Sequence, residues 1–263
     1  MHRFYVPPGS IGDGLLLTDR EAHHALDVLR LGVGDEVTTL DGRGKVRECV
    51  VSQCSRREVR LSLKSEAQAP PRPCSMTLIQ AIPKGKTFET IIQKATELGA
   101  TQIVPLITER VVVELDPDEI PRKLAKWELV AVEAIKQCGT PWLPRIAEPV
   151  SLPQALERHL THEFRLVASL LPDSQHPKRF FDAFYSDQKR APRSAVVFVG
   201  PEGDFTPAEV ASIVSRGVQP VTLGPFVLRA DTAAIYCLSV LSYEFFGRQA
   251  LEAPRGVSVV SAT

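Results

Sequence analysis

The sequence predicts an α/β protein in which a parallel sheet covered by helices follows a small antiparallel β barrel or sandwich. Three observations carry this expectation. A proline cluster, AQAPPRPC at residues 67–74, stops both helix and central strand and divides the chain. Before it, short alternating segments are separated by glycine or charged turns. After it, strands of near-continuous apolar character alternate with helices, the pattern of a sheet buried on both faces.

In the amino-terminal part, DEVTTLDGRG, VRECVVSQC and EVRLSLKSE read as strands. The segment EAHHALDVLRLGVGDEV gives one helical stretch, with Ala22, Leu26 and Leu29 at helical spacing and Gly32 as the stop. Beyond the prolines, MTLIQAI is a strand and FETIIQKATELG a helix. Phe88, Ile91, Ile92, Ala95 and Leu98 form its apolar face, and Gly99 ends it. QIVPLIT, a long helix through LAKWELVAVEAIKQCG, then RLVASLL, AVVFVG and PVTLG continue the alternation, and the nearly all-apolar helix DTAAIYCLSVLSYEFF closes it. Two domains are expected, at residues 1–70 and 74–250, with a flexible tail at 251–263.

Lysine plus arginine balance aspartate plus glutamate at 31 each, so any nucleic-acid surface must be a local patch. The five cysteines, Cys49, Cys54, Cys74, Cys138 and Cys237, form no CxxC pair and are odd in number, which fits a reducing compartment and small buried hydrophobes. MHRFYVPPGS lacks the apolar core of a signal peptide and no apolar run reaches membrane-spanning length, so a soluble, cytoplasmic protein is expected. Familiar site signatures fail. GKT at 85–87 ends like a phosphate-binding P-loop, but the required upstream glycine falls on Gln80. Gly32-Val33-Gly34 opens like a dinucleotide fingerprint, yet position 37 is valine and the following element is strand-like. His159 and His162 have no cysteine or carboxylate at metal spacing and read as a solvated helix end, so no metal is expected. Arg122, Lys123 and Lys126 read as a solvated helix face.

Two loops remain. In AVVFVGPEGDFTPAEV, Thr206-Pro207-Ala208-Glu209 is a helix start: a capping threonine, proline at the first helical position and glutamate three after the cap. Gly200 and Gly203 bracket Pro201 and Glu202, so the backbone there can approach a ligand closely. Glu202 and Asp204 would repel a phosphate by more than a helix dipole returns. The loop therefore suits a cation, a neutral polar ligand, or no ligand. In PVTLGPFVLRADTAAIYCL, Gly224 and Pro225 end a second strand, Arg229 lies in a short connection, and Asp231 or Thr232 can cap the last helix. The bland reading of Arg229 is a salt bridge to Asp231 or Glu202. Two glycine-proline loops after consecutive strands favour a ligand site, because in open α/β sheets ligands bind at the carboxyl ends of strands.

The pairing of VGPEGDFTPAEV with LGPFVLRADTAA closely resembles the cofactor-binding segments of the SPOUT methyltransferases, and specifically the RsmE family, which methylates N3 of a uridine in 16S ribosomal RNA of the small subunit. IPKGKTFETIIQKATELGATQIVPLITERVVV and WELVAVEAIKQCG look like that family's upstream elements, and RFYVPP with AHHALDVLRLGVGDEVTTLDGRG is similar to its PUA-like RNA-binding domain. The resemblance implies a SPOUT-type parallel sheet with a carboxy-terminal deep trefoil knot behind a small PUA-like β-barrel domain. It implies S-adenosylmethionine as cofactor, held by Leu170, Gly200, Pro201, Glu202, Gly203, Leu223, Gly224, Leu228, Thr232 and Ala233. It also implies a homodimer, with substrate approaching across the subunit interface. Asp204 stands where a second glycine is common, Phe226 where a basic or polar residue is frequent, and Thr140 where an arginine is frequent.

Methyl transfer to N3 of uracil needs that nitrogen's proton removed and negative charge on the flanking oxygens stabilised. Arg229 is the candidate for charge stabilisation, and Asp231 or Glu202 for orienting it or accepting the proton. RNA would be held by its backbone through Arg3, Arg30, Arg43, Lys45 and Arg47, with Lys84 and Lys86 near the pocket. A SPOUT-like enzyme for a ribose 2′ oxygen or another base, and a non-catalytic RNA-binding assembly factor, are the alternative readings.

Overall fold

The computed structural model describes residues 2–9, 15–110 and 116–252, with side chains described as far as residue 247. Its first sheet is formed by β1 (His2–Tyr5), β2 (Leu15–Leu17), β3 (Glu36–Leu40), β4 (Lys45–Cys54) and β5 (Val59–Gln68), in the order β1-β3-β4-β5-β2. β1 runs parallel to β3, whereas the alternating segments predicted antiparallel neighbours throughout. Among the described residues β1 and β2 do not pair with each other, so the sheet is half a barrel rather than a closed one. Register shifts at Glu48/Cys49 and Val51/Gln53 bend the long β4–β5 ribbon. Phe4, Leu17, Val37, Val51, Val59 and Leu61 fill the concave side.

The predicted helix of this part is shorter than its pattern. α1 (Asp19–His23) passes into a π-helical turn, His24–Val28, and the chain leaves it at Arg30, which is left-handed with φ 56°. The N–H of Leu31 reaches back to the Ala25 carbonyl at 2.9 Å. Ala25 is wholly buried, and the helix ends at Val28, four residues before Gly32.

After the prolines come β6 (Ser75–Ala81), α2 (Thr87–Glu97), β7 (Gln102–Ile107), α3 (Ile120–Cys138), β8 (Arg145–Ile146), β9 (Val150–Ser151), α4 (Leu152–His159), β10 (Phe164–Ala168), α5 (Pro177–Gln188), β11 (Ser194–Val199), α6 (Pro207–Ser215), β12 (Gln219–Val221) and α7 (Ala230–Glu252). Of the expected tail, residues 251 and 252 extend α7 and the rest lies outside the described residues. The strands form one all-parallel sheet in the order β12-β10-β11-β6-β7-β8, with β9 also on β7. Alternate residues face opposite layers. Met76, Leu78, Ile103, Leu166 and Val197 pack against α2, α3, α5 and α7. Ile79, Val104, Val167, Val196 and Phe198 pack against α4 and α6. This is why the strands read as unbroken apolar runs. The rings of Phe164, Phe181 and Phe245 meet at centroid distances of 5.0 to 5.7 Å and join α5 and α7 to β10. Each such pair contributes about 1 kcal/mol beyond its area burial. Pro105 is tolerated inside β7 because β8 pairs with Gln102–Ile103 and β9 with Leu106–Ile107, leaving Pro105 in the gap between them.

Two expectations change. His162 is half-buried rather than solvated: Nε2 lies 3.0 Å from Thr77 Oγ1, and Nδ1 lies 2.7 Å from the His159 carbonyl oxygen. Of the cysteines, Cys49, Cys74 and Cys237 are buried as expected, and burial pushes the Cys74 and Cys237 thiols up to about 12, but Cys138 is exposed at the end of α3.

The two sheets meet at the amino-terminal ends of β7 and β8, through bonds that leave little freedom. Gly44 N–H donates to the Pro141 carbonyl and Leu143 N–H to the Gly42 carbonyl, at 2.9 and 3.0 Å. A Cβ at Gly44, whose φ is +95°, would come within 2.4 Å of the Trp142 ring. Arg3 donates to the last carbonyls of α3, those of Lys136 and Gln137. Lys136, only 5% exposed, pairs with Glu21 at 2.7 Å and Glu133 at 3.2 Å. Arg72 of the proline linker donates to the carbonyls of Gly99, Ala100 and Trp142 and to Thr140 Oγ1, so a guanidinium from the linker adjoins the position where the resemblance expects an arginine.

Removing the Lys136 amine leaves Glu21 largely buried without its cation, so Lys136→Ala is expected to cost roughly 3 kcal/mol in urea unfolding. A loss below about 0.5 kcal/mol would show the pair to be solvent-screened. Burial also pushes the His159 and His162 imidazoles below their ordinary value of 6.5. Above 6.5 both are neutral whether the chain is folded or not; as pH falls from there, the unfolded chain takes up protons first. The melting temperature is therefore expected to fall between pH 7 and 5, more steeply than in His162→Gln, and melts across that range check it.

Candidate active site

The carboxyl ends of β10, β11 and β12 open into a narrow cleft of about 70 Å³ that communicates with solvent. One wall is the loop after β10, at Ser169 and Leu170; the second is Gly200 to Glu202 with Asp204; the third runs from Thr222 to Leu228 and on to the start of α7. Gly224, at φ +117°, makes the sharp turn of the third wall, a conformation that a side chain would strain.

The second wall is fixed by its own sequence. Thr206 and Glu209 form the predicted capping box: Glu209 N–H donates to Thr206 Oγ1 at 3.2 Å and Thr206 N–H to Glu209 Oε2 at 2.8 Å. The other oxygen of the buried Glu209 accepts Glu109 N–H, beyond β7, at 2.9 Å. Glu202 Oε1 accepts Lys84 N–H, beyond β6, at 3.1 Å. Asp204 Oδ2 accepts Leu170 N–H, beyond β10, at 3.3 Å. Arg110 donates to the carbonyls of Gly203 and Phe205, and Gln80 Nε2 to that of Gly200.

Of the predicted cofactor residues, the structure brings Leu170, Gly200, Pro201, Glu202, Leu223, Gly224, Leu228 and Ala233 together around this cleft; Gly203 and Thr232 are outside its lining. Asp204, Phe226 and Val227 line it and were absent from the predicted set. Phe226 and Val227 are 77% and 75% exposed, a display of apolar surface that marks the rim. The three candidate catalytic residues are not equally placed. Glu202 lines the cleft. Arg229 is exposed between two lining residues, Leu228 and Ala230, and forms no ion pair among the described residues, contrary to the bland reading of it. Asp231 is inside the first turn of α7 rather than at its cap, with Oδ1 accepting Thr232 N–H at 2.8 Å.

The predicted RNA contacts divide in two. Arg47 is 4% exposed on its side chain and donates to Glu66 at 2.7 Å, so it is a structural ion pair and not a surface contact; the alternation of β4 turns it toward Glu66 of β5. Lys45 shares Glu66 at 2.9 Å, and Arg3 is spent on α3. Arg30, Arg43, Lys84 and Lys86 are exposed. Arg56, Arg57 and Arg60, in and beside the β4–β5 turn, are also exposed and have no carboxylate partner among the described residues. Three arginines within SRREVR were the signal for them in the sequence. Arg30 adjoins the same end of the sheet, because the Leu31 carbonyl contacts Cys54 Sγ at 3.8 Å. Lys123 and Lys126 on α3 pair with Glu119 and Glu89 and, with Lys86, line a shallow cleft beside Gly85. Among the described residues no group of acids, histidines and cysteines could hold a metal ion.

Family profiles match both parts of the chain: an RNA methyltransferase domain over residues 70–242 and an RNA methyltransferase PUA domain over residues 17–64. Among curated proteins, the ribosomal RNA small subunit methyltransferase E of Synechocystis is 34% identical over 92% of this chain and 77% of its own length. That of Bacillus subtilis is 32% identical over 87% of this chain and 89% of its own. Among solved structures, a methyltransferase from Legionella pneumophila in complex with the cofactor SAM aligns with a TM-score of 0.79 at 31% identity, covering 91% of this chain and 96% of that one. A ribosomal RNA small subunit methyltransferase E from Neisseria gonorrhoeae bound to S-adenosyl methionine gives 0.79 at 28% identity, over 92% and 96%. The chain belongs to the RNA methyltransferase family, among the proteins named ribosomal RNA small subunit methyltransferase E.

Proposed function

We propose that this protein is an S-adenosylmethionine-dependent methyltransferase of 16S ribosomal RNA in the small ribosomal subunit, acting on N3 of a uridine. The observation that carries this reading is the three-walled cleft at the strand ends, in a chain whose relatives include proteins solved with that cofactor. The donor set fits the group. Leu170, Leu223, Val227, Leu228 and Ala233 offer apolar surface for a purine, backbone amides and carbonyls of the three loops offer directional bonds, and Glu202 supplies negative charge for a sulfonium. When bound, the cofactor supplies a methyl group on a positively charged sulfur.

The chain's own residues do the rest. Arg229, exposed at the rim, is the donor that stabilises negative charge on the carbonyl oxygens flanking N3. Asp231 or Glu202 orients it or accepts the N3 proton. The base leaves its stack to expose N3. The division into an RNA-binding domain at 1–70 and a methyltransferase domain at 74–250 belongs to this reading, as does threading of the last segment into a deep trefoil knot. Support for the second comes from the return of α7, after the edge strand β12, to pack against β6, β11 and α2 in the middle of the sheet. A homodimer completes it: Tyr236, Tyr243, Phe226 and Val227 leave aromatic and apolar surface exposed on and before α7, with Tyr243 80% exposed. Ribosomal RNA as substrate fits a cytoplasmic site of action, and among the described residues no helix is long and apolar enough to cross a membrane. RNA phosphates meet Arg30, Arg43, Arg56, Arg57 and Arg60 on the first sheet and Lys84 and Lys86 beside the cleft.

Mass spectrometry of digested ribosomal RNA, with and without the protein, is expected to show one methyl on uracil N3; a ribose 2′-O-methyl or an unmodified RNA would replace this reading with one of its alternatives. In single turnover, Arg229→Ala is expected to lower the methylation rate roughly 100-fold with cofactor affinity unchanged. An unaltered rate removes Arg229 from the mechanism. Arg56→Glu with Arg57→Glu is expected to weaken RNA binding and to reduce the slope of log affinity against log salt by about 2, leaving cofactor binding intact. An unchanged slope in filter binding would move the RNA off this turn.

A further inference from the structure

Asp204 departs from the glycine that the resemblance expects, and it has the backbone of that glycine. Its φ is 58°, a left-handed conformation that strains a side-chain-bearing residue and costs glycine almost nothing. A residue strained in this way is retained when its side chain does something glycine cannot. Both carboxylate oxygens are in use. Oδ1 accepts the N–H of Phe205 at 2.8 Å, and Oδ2 accepts the N–H of Leu170, 34 residues earlier, at 3.3 Å. Gly200 lies under the same carboxylate, since a Cβ there would meet Asp204 Oδ1 at 3.0 Å. Leu170 and Gly200 stand on two different walls of the cleft.

We infer that Asp204 is a positioning residue of the cofactor pocket. Its carboxylate ties the loop after β10 to the loop after β11 and so sets the spacing of the two walls between which the cofactor is held. This rests on the proposed function and deepens it. The role is one of geometry and not of charge. Glycine at 204 relaxes the backbone but leaves the Leu170 N–H without its acceptor, whereas asparagine keeps the left-handed conformation, removes the charge and offers one oxygen that can serve Leu170 or Phe205 but not both.

Calorimetry with S-adenosylmethionine, and with S-adenosylhomocysteine, whose sulfur is uncharged, tests the two roles against each other. Asp204→Gly is expected to bind both ligands about tenfold more weakly, the equivalent of one hydrogen bond to a charged group. Asp204→Asn is expected to recover part of the loss, by the same factor for both ligands, because its one oxygen serves one of the two N–H groups. In cofactor-free protein, amide hydrogen exchange at Leu170 is expected to quicken in Asp204→Gly and much less in Asp204→Asn, while exchange in the β11 core stays unchanged. Wild-type affinity in Asp204→Gly overturns the inference. So does an Asn variant that loses S-adenosylmethionine alone, which would assign the carboxylate to charge. Wild-type protein that binds neither ligand removes the functional reading and this one with it, whereas normal wild-type binding beside an unaffected Gly variant removes this one only.

Discussion

A parallel sheet buried on both faces leaves peptide N–H groups at its strand ends that must find acceptors away from the ladder. In this protein one short segment supplies three of them. Glu202, Asp204 and Glu209 accept the N–H groups of Lys84, Leu170 and Glu109, which follow β6, β10 and β7. The loops that would otherwise be independent are thereby referred to the start of a single helix, α6. Each acceptor is a carboxylate oxygen, and the capping box holds Glu209 in place at the start of α6. The acids between β11 and α6 are thus internal fasteners as much as ligand groups. Their negative charge, which argued against phosphate in the sequence, is partly consumed by the protein's own backbone.

Most of the parallel layer was legible from periodicity, because burial on both faces writes itself into the sequence as continuous apolar runs bounded by glycine. Phe88, Ile91, Ile92 and Ala95 are buried as their spacing predicts, and Gly139 ends α3 in the left-handed conformation. What failed to show was anything decided by a distant partner. Arg47 reads as a surface cation on an alternating strand, and only the register with Glu66 buries it. α5 has a weaker apolar pattern, and its place is set by Phe181, which stacks on Phe164 and meets Phe245 edge-on. The π-helical turn after α1 breaks the helical spacing that predicted a longer element.

At the cleft, the two glycine-proline loops were visible as motif and spacing, whereas Phe226 and Val227 at the rim were not. Asp204 was visible only as an anomaly. Its acceptor role depends on the N–H of Leu170, a contact that no local pattern encodes. The same holds at the joint between the sheets, where Lys136, Glu21, Arg3 and Arg72 look like ordinary surface charges in the sequence. Their side chains serve backbone carbonyls and one another, whereas the arginines of the β4–β5 turn are exposed at the first sheet's far end and have no carboxylate partner among the described residues. A chain with no net charge can in this way still present a cationic surface, by neutralising cations elsewhere.

The split margin of the parallel sheet has a further consequence. Beyond β7 the sheet ends in two strands of two residues each, β8 and β9, with Pro105 opposite the break. A long final strand would offer a continuous row of free donors and acceptors on which another chain could add itself. Parallel sheets assemble slowly and expose such rows while they form. Here the row is interrupted before it is long enough to template anything, and the proline removes a donor at the point of interruption. The margin is protected against runaway association in the nascent chain, at the cost of only a few ladder bonds in the finished one.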